Sequence, residues 1–172
     1  MKDYFPNRTG ECFSSSVANL LMHQYGDIET ANSFFNKAPK HSLTTNDGET
    51  LICTWPYLVD DLTNGKYTGT LSINTSAEKI LNMRGEIENI SPKEYKEAVR
   101  YSLDAGRIFL DGLVFQTAPM LISMITGPGN GHVVVYLGQD HLGNEHYIDN
   151  GNINTKSLEG HTIVGFFKVD QQ

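Results

Sequence analysis

Past Gly106 the chain reads as one strand after another. "RIFLDGLVF", "APMLISMIT", "HVVVYLGQD", "NEHYIDNG" and "HTIVGFFKV" are β-branched or aromatic runs, separated by the turn-forming stretches "GPGNG", "HLGN" and "NINTKSLEG". Connections this short join antiparallel neighbours. The first half has a helical period instead. Phe13, Val17, Leu20 and Leu21 share one face of a helix over 11–25, a second helix runs over 28–36 behind an Asp27 cap, and a third covers 55–62. "NGKYTGTLSI" predicts a short strand and 76–83 a further helix. Ser91-Pro92-Lys93-Glu94 opens a helix that runs to Ala105 and stops at Gly106. Helices first and an antiparallel sheet afterwards is the α+β class.

A chain of 172 residues with 39% hydrophobic content is long enough for one core and short for two, so residues 1–172 are read as a single domain. The formal charge is −7 and the 13 lysines and arginines are scattered, which excludes the electrostatic footprint of a nucleic-acid binder. No run approaches the roughly 18 apolar residues of a membrane span, and "MKDYFPNRTG" lacks the apolar centre of a signal peptide. No membrane insertion is expected. Two cysteines are too few for a disulfide scaffold and suit a reducing compartment, so the expected localisation is cytoplasmic, with a secreted or delivered effector as the alternative.

Cys12 opens the first helix. First-turn N–H groups lack intrahelical partners and carry partial positive charge, so a thiolate is stabilised there. Ser16 and Asn19 follow on the stripe of Cys12, about 100° round from the core face. A nucleophilic thiol needs a base, and the base needs an orienter. Of six histidines, His132 follows "GPGNG" and opens "HVVVYLG", where the valines fix the backbone while the imidazole projects into a cleft. His23, His141 and His146 are read as solvated surface. The strand "NEHYIDNG" returns beside that of His132 and brings either Asp149 or Asn150 to the ring, since alternation puts the two on opposite faces; Asp149 is preferred.

"ECFSSSVANLL" resembles the nucleophile helix of the papain-like cysteine peptidases. "APMLISMITGPGNGHVVVYLGQDHLGNEHYIDNG" resembles their bacterial C39-like branch, in which Gly-His before a valine strand, a hairpin and then Asp carry the base and its orienter. Cys, His and Asp stand in that order here. The resemblance implies a papain-like fold, with N-terminal helices packed on a C-terminal antiparallel sheet, and a Cys12-His132-Asp149 triad. Papain-like enzymes carry a glutamine ahead of the cysteine that completes the oxyanion hole; the side-chain amide in range here is Asn7, otherwise a cap or turn residue, and the Cys12 backbone N–H would be the other donor. Phe13 stands where the C39-like branch has glycine, and Asn150 where it has proline.

The expected activity is that of a cysteine peptidase acting through an acyl-enzyme on a peptide or protein substrate, without cofactor or metal. The alternatives are a deamidase or transglutaminase-like acyl transferase on the same fold, and an inactive papain-like domain that binds a protein partner. Cys53, Trp55 and Tyr57 sit among apolar neighbours and are read as core residues, with a Cys12–Cys53 disulfide as the minor alternative for the thiol.

Overall fold

The computed structural model describes residues 4–8, 10–82, 90–110, 112–127, 130–155, 157–158 and 160–172. The parts of the expected elements and turns that fall on residues 83, 111, 128, 129, 156 and 159 lie outside the described residues. The helices are α1 Cys12–Tyr25, α2 Ile28–Lys37, α3 Trp55–Leu62, α4 Ala77–Asn82 and α5 Pro92–Asp104. Their ends follow local chemistry. Gly26 closes α1 in the left-handed conformation, with its N–H on the Leu21 and Met22 carbonyls. The Asp27 carboxylate accepts from the Thr30 N–H at the start of α2, and Ser91 Oγ accepts from the Glu94 N–H ahead of Pro92.

The strands are β1 Tyr67–Ile73, β2 Ile108–Phe109, β3 Met120–Gly127, β4 Asn130–Gln139, β5 Glu145–Asp149, β6 Asn152–Asn154 and β7 Thr162–Gln171. They form one sheet in the order β2-β1-β7-β3-β4-β5-β6. The chain is mixed α+β, with two departures from the expected segregation. β1 comes from the helical half and pairs antiparallel with β7, and β2 lies parallel to β1. The sheet is therefore neither wholly C-terminal nor wholly antiparallel.

Of "RIFLDGLVF" only Ile108 and Phe109 are strand. Gly112 has φ of +130°, and Ser72 Oγ donates to the Gly112 carbonyl and accepts from the Val114 N–H, so the chain leaves the edge. It crosses to the sheet's other face, where the Phe115 ring meets Tyr136 and Phe166 edge-on. β6, expected as part of a loop, is only Asn152-Ile153-Asn154, too short a run to signal a strand by itself; it gains strand geometry by pairing with β5.

The sheet is apolar on both faces. Leu121, Val133, Val135, Ile148 and Phe167 join the main core with α1, α2 and α3, whereas Met120, Ile122, Val134, Tyr136 and Phe166 form a smaller cluster behind it. Strand alternation separates the two sets. Helix α1 runs through the middle of the main core, and every residue from Phe13 to Met22 is buried. The two separate faces expected for it do not exist. Ser16 is buried with its hydroxyl on the Val133 carbonyl, and buried Asn19 holds both backbone groups of Phe5. No described helix is long and apolar enough to cross a membrane.

Candidate active site

Cys12 is the first residue of α1, partly exposed, and its sulfur is free; Cys53 is also free and buried, so the disulfide alternative is absent. The helix start is held from two sides. Glu11 stands at the N-cap without capping the helix, and its carboxylate pairs with Arg8 at 2.5 Å. The Arg8 guanidinium also donates to the Phe35 carbonyl at 2.6 Å and lies 3.7 Å from the centre of the Phe35 ring. Gly10 has φ of +74°, and a Cβ there would stand 2.2 Å from the Asp47 carbonyl oxygen, so only glycine fits this turn.

The Ser16 bond to the Val133 carbonyl, at 3.1 Å, fixes α1 against β4 one turn beyond Cys12. Antiparallel pairing sets the start of β4 beside the end of β5, with Val135 opposite Ile148. Continuing that register, His132 and Asp149 are diagonal neighbours on the same side of the sheet. His132 Nε2 lies 2.7 Å from Asp149 Oδ1, both side chains being about 30% exposed (28% and 29%). Asp149, the preferred orienter, meets the ring. Asn150 does not: its φ is +51°, and its Oδ1 accepts from the Asn7 backbone N–H at 2.9 Å.

The hydrogen bond to Asp149, followed by that with the Cys12 thiol, raises the His132 pKa from 6.5 to about 10 against the opposing effect of burial. Nε2 is committed to the carboxylate, which leaves Nδ1 as the nitrogen free to exchange a proton with sulfur. Cys12 and His132 line one cleft of about 190 Å³, with Phe13, Ile52 and Trp55 supplying apolar wall and Ser123 and Glu49 polar wall. Trp55 is 3% exposed, stacks on Phe13 at 4.6 Å between ring centres and donates from Nε1 to Thr50 Oγ1, so it is a core anchor whose surface also borders the cleft. Gly10 and Glu49 are shared with a neighbouring depression of about 630 Å³ that also includes Arg8, Pro39 and Asp47.

Asn7, expected as an oxyanion donor, has its side chain bonded to Asp149 and Ser15. Its Nδ2 donates to Asp149 Oδ1 at 3.3 Å and its Oδ1 accepts from Ser15 Oγ, because residues 4–8 cross from α1 to the end of β5. Sequence reasoning did not find Ser15 or the clamp of Asn19 on Phe5, at 2.6 and 2.9 Å. The available signal was "SSS" followed by Asn inside a helix: poor helix formers are retained in a buried helix when their side chains are needed as hydrogen-bonding groups.

The other histidines lie apart from this group. His23 Nδ1 meets the Tyr4 hydroxyl at 3.0 Å, so it is not simply solvated, and His146 pairs with Asp140 across the β4–β5 turn at 2.9 Å. No metal-binding group of three or more His, Cys, Asp or Glu occurs among the described residues. No protein-family model, curated protein or solved structure matches the chain.

Proposed function

We propose that this protein is a thiol hydrolase, a cysteine peptidase of papain-like, C39-like type. Cys12 is the nucleophile, His132 the general base and acid, and Asp149 the orienter. The observation that carries the reading is the 2.7 Å bond from His132 to Asp149, with His132 and Cys12 lining one cleft. The three residue types needed for acyl transfer, far apart in sequence, support it, with Cys12 at a helix N-terminus.

In the reaction Cys12 passes its proton to His132 Nδ1, and sulfur attacks the substrate carbonyl carbon. The oxyanion forms against the Cys12 N–H and the positive end of α1. His132 then gives the proton to the leaving amine as the C–N bond breaks, leaving a thioester. Water, deprotonated by His132, attacks the thioester; sulfur leaves, and the acid product is released. Throughout, Asp149 keeps the proton of Nε2 in place and offsets the charge of the imidazolium.

The depression that continues the cleft past Gly10 and Glu49 favours a substrate with extended flanks, hence a polypeptide. A peptide library sampled for new N-termini, with ammonia release measured alongside, tests the reading. New N-termini that vanish in Cys12→Ala support the peptidase, ammonia without cleavage reassigns the site to a deamidase, and cleavage that survives Cys12→Ala overturns the mechanism.

A further inference from the structure

We propose that Asn7 and Ser15 are positioning residues that lock the orienting carboxylate of Asp149 to the helix carrying the nucleophile. The inference rests on the triad reading and adds two residues to it. Asp149 Oδ1 receives two donors, His132 Nε2 at 2.7 Å and Asn7 Nδ2 at 3.3 Å. A carboxylate oxygen has lone pairs for both, and the second donor fixes the rotation that the first leaves free. The amide cannot be turned round, since its oxygen would then face the carboxylate. Held this way, Asn7 Oδ1 accepts from Ser15 Oγ.

Ser15 lies one turn beyond the nucleophile, and its hydroxyl is also 3.1 Å from the Cys12 carbonyl. The contacts form a chain from the nucleophile helix to the base: Cys12 to Ser15 along the helix, Ser15 to Asn7, Asn7 to Asp149, and Asp149 to His132, which lines one cleft with Cys12. The segment that carries Asn7 is pinned on two sides. Asn19 takes both backbone groups of Phe5, and Asn150 takes the Asn7 N–H. Bonded to Asp149 through Nδ2 and to Ser15 through Oδ1, Asn7 acts on the imidazole through the carboxylate. Among the described residues, the ionisable groups nearest the imidazole are Asp149, which bonds it, Cys12 and Glu49, which line the same cleft, and the Arg8–Glu11 pair, which flanks the start of α1.

The test is a double-mutant cycle on the full chain, with Asn7→Ala, Asp149→Ala and both together. The readouts are the His132 imidazole titration by NMR and the rate of Cys12 alkylation by iodoacetamide at neutral pH, a reaction with no oxyanion to stabilise. Asn7→Ala alone should lower the titration midpoint and slow alkylation by about tenfold, the scale of one hydrogen bond to a charged group. In the Asp149→Ala background the same change should do nothing further. Ser15→Ala should act in the same direction with smaller size, and thermal melts identify any variant that has not folded. An unchanged midpoint and rate in Asn7→Ala and Ser15→Ala overturns the proposal, as does an equal effect in both Asp149 backgrounds. Wild-type alkylation that ignores His132→Ala would instead overturn the triad reading itself.

Discussion

At His132 the carboxylate on one side and the thiol on the other both favour the charged ring, and together they outweigh burial. Removing the larger influence has a definite consequence. Asp149→Asn should bring the His132 midpoint down from about 10 toward the ordinary 6.5, visible as an NMR titration shift. On the triad reading it should also cut turnover by roughly 10³–10⁴-fold, through loss of the tautomer and of the charge facing the imidazolium. Cys12→Ala should leave the fold intact, because the side chain is partly exposed and its removal opens no deep cavity. The placement of Cys12 at a helix start and the contact of His132 with Asp149 were legible in sequence because each position carries a local signature: a helix start, a strand start after glycines, and the return of a hairpin. The position of Asn7 was not, since it depends on a crossing segment whose partners lie 8 and 142 residues away.

Among elements, α1 organises the site because its polar residues are used as internal fasteners. Asn19→Ala would leave the Phe5 N–H and carbonyl without their partner, two bonds at a buried position. The expected cost is about 2–3 kcal/mol in urea unfolding. Ser16→Ala should cost about 1 kcal/mol by losing its bond to the Val133 carbonyl, and any loss of activity beyond that would measure how far α1 must be registered on β4. The helical elements were well read, because caps and apolar period are local signals; α3 spans the expected 55–62. Expectation and structure part where pairing decides: in β6, whose three residues are too short a run to signal a strand, and past Phe109, where Ser72 on another strand redirects the backbone. The expectation that Ser16 and Asn19 would share a chemical face with Cys12 failed for the same reason, as a helix wheel does not tell solvent from a second packed layer.

For the whole molecule, the raised His132 pKa makes stability depend on pH. A histidine whose pKa is about 10 folded and 6.5 unfolded contributes stability that is fully present below about pH 6.5 and is lost as pH rises through about 10. Cys53 acts with the same sign at higher pH, since burial pushes its thiol from 9.0 up to about 12 and the unfolded chain ionises first. Denaturation midpoints should therefore fall between pH 6.5 and 10 in the wild type and change less in His132→Ala. At the acid end, partial burial works against the charge of Asp27, but hydrogen bonds from Lys66, Thr30 and Tyr67 hold its carboxyl below the usual range. That contribution is present above about pH 3.8 and is lost as pH falls.

The central claim is that Cys12 and His132 work as a pair, and the most direct measurement is the neutral-pH alkylation rate of each cysteine, by mass spectrometry, in the wild type and in His132→Ala. The account predicts fast modification of Cys12 that drops at least about tenfold in the variant, with buried Cys53 unreactive in both. Equal Cys12 rates in the two proteins, or a Cys12 as inert as Cys53, would contradict it.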